Sequence, residues 1–327
     1  MACSIAIIGA GQIGFASANV FASAGWDVRM LARSKPDWDI EGVEFVPHIL
    51  GETPSPSADI VLDTIAFDEE DVARYDPDRV GRYIAISTAS VYCDVQGRGF
   101  EDAAELGFPE FNASITEDQP LIAGGPQTYS SRKVRMEAKA AAIFGERATL
   151  LRPCAIYGPY SRQPREWWFV KRMLDQRQRI PLAFKGESQF HTTDVNTIAG
   201  FAHCAAENAI SGAFNLADDD APTVLEIGQR IAQEMDGECD FVPFEGPPQG
   251  TLGRTPWSLP KPFVLSCCKA LDAGWDGFGL YPAANNEALG WLADLNPADW
   301  RAAFPVLANY GYDLFDYAAE DRFFETL

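Results

Sequence analysis

The chain has 327 residues, of which 47% are hydrophobic and 12% aromatic, so it can bury a sizeable core and is not a disordered polymer. Lys and Arg number 26 against 47 Asp and Glu, which gives a formal net charge of −21. That charge argues against nucleic acid and anionic membrane surfaces as partners, since both are bound through clustered basic side chains.

The start of the chain predicts a βαβ unit. Ser4–Ile8 is a short β-branched run, Gly9-Ala10-Gly11-Gln12-Ile13-Gly14 follows at once, and the Ala-rich stretch Phe15–Ala24 has a helical pattern. A glycine turn between a strand and a helix lets backbone N–H groups approach a pyrophosphate at the helix N-terminus. Nearly continuous apolar runs then predict parallel strands covered on both faces, at Asp27–Ala32, Val43–Val46, Ile60–Ile65 and Tyr83–Ser87.

The middle and end of the chain differ from its start in composition and hydrophobic periodicity. Residues 93–125 are polar and lack a clear period, and we interpret them as a long loop over the site. Further helices are predicted at Gln127–Phe144, Pro164–Gln178, Asp194–Asn208 and Thr223–Met235, further strands at Ala148–Leu151 and Ala213–Leu216, and short helices in 237–327. The expected fold is α/β. A doubly wound parallel Rossmann sheet occupies 1–160 with returning segments near 190–217, and a smaller C-terminal α+β substrate lobe occupies 161–327.

The end of the second strand bears on the choice of dinucleotide. An acidic residue there would bind the ribose 2′-hydroxyl of NAD, whereas an arginine would pair with the 2′-phosphate of NADP. The chain has Arg33 and Ser34 at this point, with no acid before Asp37. The sequence therefore favours NADP and leaves NAD open.

Tyr129 and Lys133 lie one helical turn apart on the same face of a predicted helix. A phenol with a pKa of about 10 is a poor acid–base catalyst near neutrality, and lowering its pKa by three units requires about 4 kcal/mol. One ammonium at about 4 Å supplies that order of energy at an effective dielectric constant near 20. The pair is therefore a candidate proton-transfer site, although the spacing alone would also fit two unrelated helix residues.

Three motifs occur together and in a characteristic order: Ser87-Thr88-Ala89-Ser90-Val91-Tyr92, then Tyr129 with Lys133, then Arg152-Pro153 with Tyr157-Gly158-Pro159. This set resembles the extended short-chain dehydrogenase/reductase superfamily, in its NAD(P)-dependent epimerase/dehydratase group, over roughly residues 4–236. The resemblance implies that Tyr129 is the catalytic acid/base, Lys133 its electrostatic partner and a ribose ligand, and Thr88 the hydroxyl that polarises the substrate. The cofactor contacts it implies, combined with the turn and Arg33 above, are Gly9, Gly11, Gln12, Ile13, Gly14, Arg33, Ser34, Thr64, Ala66, Ser87, Lys133, Pro153 and Ile156.

Two departures from that family pattern reduce the range of reactions and substrates that we expect. An acidic pair that follows the catalytic threonine in sugar-nucleotide dehydratases is here Ala89-Ser90, which argues against dehydration. Glu187 stands where such enzymes tend to carry a diphosphate-binding arginine, so a nucleotide sugar is not the expected substrate. We predict an oxidoreductase that interconverts a ketone and a secondary alcohol of a small molecule. The alternatives are an NAD-dependent sugar epimerase and a non-catalytic dinucleotide-binding protein.

Other sequence features predict absences. Seven cysteines and three histidines show no ligand spacing, so we expect reduced thiols and no metal site. The apolar start lacks a basic flank and no apolar run reaches about 18 residues, so we expect a cytoplasmic protein without a membrane segment. The stretch Phe67–Arg82 contains Pro77 and is too short for the long helix through which relatives dimerise, which leaves a monomer or a homodimer.

Overall fold

Residues 2–282 and 287–327 are described by a computed structural model, in which the chain divides into two compact units. The first unit consists of Met1–Cys154, Val195–Ala217 and Leu265–Phe278. The second unit consists of Ala155–Asp194, Asp218–Val264 and Gly279–Leu327. The chain therefore leaves the first unit and returns to it twice.

The strands and helices follow one another along the whole chain. The strands are β1 Ser4–Ile8, β2 Asp27–Ala32, β3 Val43–Pro47, β4 Ala58–Asp63, β5 Val80–Ile86, β6 Ala148–Pro153, β7 Ala155–Tyr157, β8 Arg179–Leu182, β9 Thr192–Asp194, β10 Gly212–Leu216 and β11 Asp240–Pro243. The helices are α1 Gln12–Ser23, α2 Glu69–Val72, α3 Ala103–Leu106, α4 Tyr129–Phe144, α5 Trp167–Leu174, α6 Val195–Glu207, α7 Val224–Glu234, α8 Cys268–Asp272, α9 Glu287–Leu295, α10 Trp300–Ala303, α11 Pro305–Ala308 and α12 Tyr317–Phe324.

The first unit is built on a seven-stranded parallel sheet in the order β10-β6-β5-β4-β1-β2-β3. The strand order reverses between β1 and β4, where Ile8 pairs with Asp63 at the ends of the two strands. In open α/β sheets, ligands bind outside the carboxyl ends of the strands at such a switch point. The predicted doubly wound parallel sheet is confirmed, and its switch point identifies the edge at which a site should be sought.

Burial explains why the sheet strands were visible in the sequence. Ile5, Ala6, Ile7 and Ile8 are all fully buried, as a strand covered on both faces requires. On one face α1 packs against α6, with the rings of Phe21 and His203 5.1 Å apart. β1 and β2 have the predicted bounds, and the other sheet strands differ from prediction only at their ends.

The helix between β4 and β5 is short, as predicted: α2 spans only Glu69–Val72. It packs against α4, and the ion pair between Arg132 and Asp68 at 2.7 Å joins the two helices. No helix in the part of the chain that the structure describes combines the length and apolar character that a membrane crossing requires.

The second unit has its own apolar core and two small parallel sheets, β7 with β9 and β8 with β11. None of these four strands was predicted. Trp167, Trp168 and Phe169 are fully buried in this core. His191 Nε2 donates to the backbone carbonyl oxygens of Asp218 and Asp220, at 2.9 and 3.0 Å, which is a structural role.

Candidate active site

The glycine turn joins β1 to α1, and a different structural constraint applies at each of its three glycines. Gly9 has φ +101°, a conformation that favours glycine. A Cβ atom on Gly14 would lie 2.0 Å from the carbonyl oxygen of Gly9, so only glycine lets the helix approach the strand. A Cβ atom on Gly11 would meet nothing within 4 Å. Gly11 therefore leaves open the space that a ligand would need.

This contrast gives a matched pair of variants. We expect Gly14→Ala to lower the free energy of unfolding by about 1–3 kcal/mol, because the methyl group overlaps backbone that cannot move aside. Gly11→Ala should unfold like the wild type, because Gly11 has an ordinary φ of −83° and open space around it. Urea unfolding of both variants checks the prediction, and equal stability of the two would contradict it.

The N-terminus of α1 has room for an anion. Helix α1 begins at Gln12 with Gly11 as its N-cap, and neither a side-chain cap nor an acidic residue in the first turn competes for its N–H groups. Gln12 Oε1 is buried and has no hydrogen-bond partner among the described residues. Ile13, also predicted to contact a cofactor, is buried at the same helix start.

Arg33 and Ser34 directly follow β2 and are exposed, as a contact with a 2′-phosphate requires. Arg33 forms no ion pair within residues 2–282 and 287–327, whereas the nearby Lys35 pairs with Asp39 at 3.4 Å. The carboxyl end of β2 is adjacent in the sheet to that of β1, from which the glycine turn extends. The two predicted parts of the dinucleotide site thus lie at one edge of the sheet.

The turn after β4 lies against the glycine turn. Thr64 Oγ1 donates to the carbonyl oxygen of Ile8 at 2.8 Å, and a Cβ atom on Gly9 would come within 2.5 Å of both Thr64 and Ile65. Ala66, at the end of this turn, is buried. The predicted residues Thr64 and Ala66 are therefore placed beside the glycines.

Helix α4 carries the predicted proton-transfer pair. Tyr129 is its first residue, 42% exposed, and its ring lies 5.4 Å from that of Phe67. Lys133 is buried, and its Nζ donates to the carbonyl oxygens of Ala66 at 2.6 Å and Ile86 at 2.8 Å. The ammonium lies 5.8 Å from the centre of the Tyr129 ring. The ends of β4 and β5 thus hold the lysine close to the tyrosine.

Burial lowers the pKa of Lys133 to about 8, and the carboxylates of Asp63, Glu137 and Asp71 oppose that shift. Between pH 8 and the ordinary lysine value of 10.5, the unfolded chain binds a proton at this position that the folded chain does not. Stability from this group therefore rises with pH across that window and falls as the pH drops back through it.

We expect the free energy of unfolding of the wild type to rise by about 3 kcal/mol, relative to Lys133→Met, between pH 8 and 10.5. The methionine variant has no proton to exchange at this position, so the difference isolates Lys133 from other titrating groups. Denaturant unfolding at several pH values provides the measurement. Parallel pH profiles of the two proteins would contradict this assignment.

Thr88 lies just beyond β5 and is half-buried. It caps the short 3₁₀ helix Ala89–Val91, and its Oγ1 lies 2.6 Å from Ser90 Oγ. Ser87 is buried, and its hydroxyl donates to Glu137 at 2.5 Å. Of the two hydroxyls at this strand end, that of Ser87 is engaged inside the protein, and that of Thr88 lies in the more open position.

A buried polar network braces this edge of the sheet, and sequence reasoning missed it. Arg152 donates from Nε and Nη2 to the two carboxylate oxygens of Glu137, at 2.9 and 2.6 Å. Its Nη1 donates to the hydroxyl of Tyr92 at 3.0 Å, and that hydroxyl donates to Asn215 at 2.7 Å. Together with Ser87, this network connects α4, β5, β6 and β10. The only sequence signal was that Glu137 follows Lys133 by one further helical turn.

Hydrogen bonds brace the first part of the loop 93–125. Asp94 accepts hydrogen bonds from the backbone and side chain of Arg98; burial raises the pKa of Asp94, but these donors bring it down to about 2. Glu101 accepts from the backbone N–H of Ser130 at 3.1 Å, directly beside Tyr129. The predicted loop, which also contains α3, thus contacts the N-terminus of α4.

The predicted residues Pro153 and Ile156 fall on opposite sides of the division between the units. Pro153 is the last residue of β6 in the first unit, and Ile156 lies in β7 of the second. The first unit therefore brings together, at one sheet edge, the glycine turn, Arg33, Thr64, Ala66, Thr88, Tyr129, Lys133 and Pro153. The role of Ile156 stays a prediction.

Comparison with solved structures gives matches over almost the whole chain at low identity. The Bordetella bronchiseptica enzyme WbmH in complex with NAD⁺ has a TM-score of 0.66 and 15% identity, over 91% of this chain and 100% of that chain. The UDP-N-acetylglucosamine 4-epimerase of Methanobrevibacter ruminantium M1 gives 0.65 and 15%, over 90% and 99%. The dTDP-glucose 4,6-dehydratase of Bacillus anthracis in complex with NAD gives 0.64 and 14%, over 90% and 97%.

Neither protein-family models nor curated protein sequences give a match. The similarity to solved structures is thus one of fold. The fold of this chain is thus the one found in solved structures of a UDP-galactose 4-epimerase, a UDP-N-acetylglucosamine 4-epimerase and a dTDP-glucose 4,6-dehydratase.

Proposed function

We propose that the chain is an NAD(P)-dependent oxidoreductase that interconverts a ketone and a secondary alcohol. The observation that carries this proposal is the Lys133 ammonium, held between the carbonyl groups of Ala66 and Ile86 at the sheet edge that also carries the glycine turn. A cation close to a phenol favours the phenolate, and so lets a tyrosine exchange protons nearer to neutral pH.

The residues present fit a bound dinucleotide. The open space at Gly11 and the uncapped start of α1 support binding of the pyrophosphate. Arg33 would hold a 2′-phosphate. The chemistry that the nicotinamide supplies when bound is hydride transfer to or from the substrate carbon.

Each catalytic side chain then has one task. Tyr129 gives a proton to the substrate oxygen during reduction and takes it back during oxidation. Lys133 stabilises the phenolate form of Tyr129 through its positive charge. Thr88 donates a hydrogen bond to the same substrate oxygen, which polarises the carbonyl.

An NAD-dependent sugar epimerase, which oxidises and then re-reduces the same carbon, is the second candidate. The solved structures favour it, because several are nucleotide-sugar epimerases and two contain UDP-glucuronic acid and NAD. Glu187 argues against a nucleotide sugar, because it is exposed and would place a carboxylate where a diphosphate needs a cation. Arg33 likewise favours NADP over the NAD of those structures.

Cofactor turnover separates these candidates. The purified protein, mixed with NADPH and a panel of ketones, should consume NADPH, followed by nicotinamide absorbance. An epimerase would instead release tightly held NAD when denatured, and would cause no net consumption. A protein that neither consumes NADPH nor holds any dinucleotide would contradict both proposals.

Arg33 sets the expected preference between the two dinucleotides. We expect Arg33→Ala to weaken NADPH binding by about 10–100-fold, the effect of losing a hydrogen-bonded partner of a charged group. NADH has no 2′-phosphate, so its affinity should stay within about threefold. Titration of both dinucleotides into both proteins measures this, with Lys35→Ala as the control because Lys35 already pairs with Asp39. Equal losses for NADPH and NADH would contradict the assignment.

A further inference from the structure

The charge of the buried Lys133 ammonium must be balanced within the first unit. Three carboxylates act on it electrostatically, those of Asp63, Glu137 and Asp71. Among the described residues, its hydrogen-bond acceptors are the carbonyl oxygens of Ala66 and Ile86, which are neutral. The balance therefore depends on how far each of the three carboxylates is already neutralised by other cations.

Two of these carboxylates already have cations of their own. Glu137 is bound by Arg152 through both of its oxygens, at 2.9 and 2.6 Å, and both side chains are buried. Asp71 pairs with Arg74 at 3.0 Å and lies partly in solvent. These cations weaken the electrostatic effect of the Glu137 and Asp71 carboxylates on Lys133. For Asp71, water weakens it further.

Asp63 is the exception, since it is fully buried and all of its hydrogen-bond donors are neutral. Its Oδ1 accepts from the N–H groups of Ile65 at 3.0 Å and Ala66 at 2.8 Å, and its Oδ2 from the hydroxyls of Tyr75 at 2.6 Å and Tyr83 at 2.9 Å. Among the described residues, no Lys or Arg lies within ion-pair distance of it.

His48 does not supply the balancing charge. Burial lowers the pKa of His48, although Asp63 opposes that shift, so burial disfavours the charged form of this imidazole. The hydroxyls of Tyr75 and Tyr83 also stay neutral, because burial and Asp63 raise the pKa of each far above its ordinary value. Asp63 therefore acts electrostatically on Lys133 and has no ion-pair partner of its own among the described residues.

Asp63 also shapes the turn that touches Lys133. Its Oδ1 fixes the N–H groups of Ile65 and Ala66, and the carbonyl oxygen of Ala66 accepts from Lys133 at 2.6 Å. On the other side of the turn, Thr64 and Ile65 lie against Gly9. One carboxylate therefore anchors both the ammonium and the side of the glycine turn.

We propose that Asp63 is a positioning residue for Lys133, acting as the buried counter-charge that keeps its ammonium protonated and as the anchor that aims the Ala66 carbonyl at it. The catalytic part of this inference rests on the proposed function, since it assumes that a charged Lys133 serves Tyr129. The electrostatic part concerns the protein alone and can be measured without cofactor or substrate.

The test follows the titration of Lys133 by NMR in cofactor-free protein labelled at lysine Cε, with its signal identified by its loss in Lys133→Arg. Asp63→Asn keeps the shape of the side chain and removes its charge. We expect the Lys133 titration to move down by about one pH unit, the size of effect that a nearby opposite charge has. Tyr75→Phe keeps the Asp63 charge and is the matched control, with an expected shift well below that.

The alkaline limb of kcat provides the second readout. Activity that needs the ammonium is lost as the pH rises through its titration, so the limb should move down with the NMR titration in Asp63→Asn. A folded Asp63→Asn protein in which Lys133 titrates as in the wild type would overturn the proposal. If the NMR titration shifts but no substrate is ever turned over, the proposed function fails and the counter-charge assignment stands.

Folding of the variants is itself informative. Asp63→Asn leaves a buried ammonium without its counter-charge, which can unfold the protein. In that case the double variant Asp63→Asn/Lys133→Met should fold, because it removes both members of the pair. A double variant that also fails to fold would overturn the proposal.

Discussion

Tyr129→Phe should reduce kcat for carbonyl reduction by about 10²–10⁴-fold while leaving dinucleotide affinity unchanged. The substitution removes one hydroxyl from a partly exposed ring at the first position of α4. The ring itself keeps its contact with Phe67. The helix itself should persist, because its capping box is formed by Thr128 and Ser131. The loss should therefore appear in turnover and not in stability.

The control for this prediction is Tyr310→Phe. Tyr310 lies in the second unit, and its hydroxyl accepts a hydrogen bond from Gln163 at 3.0 Å. This variant loses the same atom at a position without a proton-transfer role, and it should keep wild-type kcat within about threefold. Steady-state rates with NADPH and titrations of NADPH measure the two quantities separately. Undiminished turnover in Tyr129→Phe would remove the tyrosine from the mechanism.

Arg152→Ala should lower the free energy of unfolding by about 3–5 kcal/mol, which is the usual cost of leaving one member of a buried ion pair alone. The variant leaves the Glu137 carboxylate buried, with Ser87 as its remaining hydrogen-bond donor in the network. It also removes the donor that Arg152 presents to Tyr92. Urea unfolding, with circular dichroism as the signal, measures the change.

The comparison variant for Arg152→Ala is Lys185→Ala, in which the ion pair with Glu245 lies in solvent. Water screens such a pair, so its loss should not produce a resolvable change in stability. Glu137→Gln should reproduce much of the Arg152→Ala effect, because it breaks the same pair from the other side. If Arg152→Ala were no less stable than Lys185→Ala, the network would not brace the site as described here.

The central sheet was predictable because its strands are buried on both faces. A run such as Ser4–Ile8 is apolar at nearly every position, and a glycine turn marks where it ends, so its bounds could be read directly. The strands of the second unit are different. β7 and β9 have three residues each, too few to show any period, and they pair only within their own small sheet.

The candidate site was predictable where a motif implied it, and its supporting side chains were not. Tyr129 and Lys133 could be singled out from their spacing and from the family resemblance. In the sequence, nothing distinguishes Asp63, Glu137 and Asn215 from other polar residues. Only the folded chain shows that they are buried and which groups they bind. Burial of polar residues depends on contacts between distant segments of the chain, which a single sequence does not reveal.

The return of Leu265–Phe278 to the first unit is a further feature that pattern alone could not supply. This segment contains α8, which packs beside β10, and the carbonyl oxygen of Ser266 accepts from Asn215 at 3.2 Å. Its residues have no periodicity that separates them from the surrounding loops. Its position is set by a partner strand about 50 residues earlier in the chain.

Native mass spectrometry of the intact protein is the most direct test of the claim that the glycine turn and the α4 pair form a dinucleotide site. The account predicts a mass increase of one NADP(H) or NAD(H) per chain, either as purified or after addition of NADPH. It also predicts that Gly11→Ala, which should stay as stable as the wild type, reduces this occupancy. A chain that shows no dinucleotide adduct with a large excess of either cofactor, while remaining folded, would contradict the account.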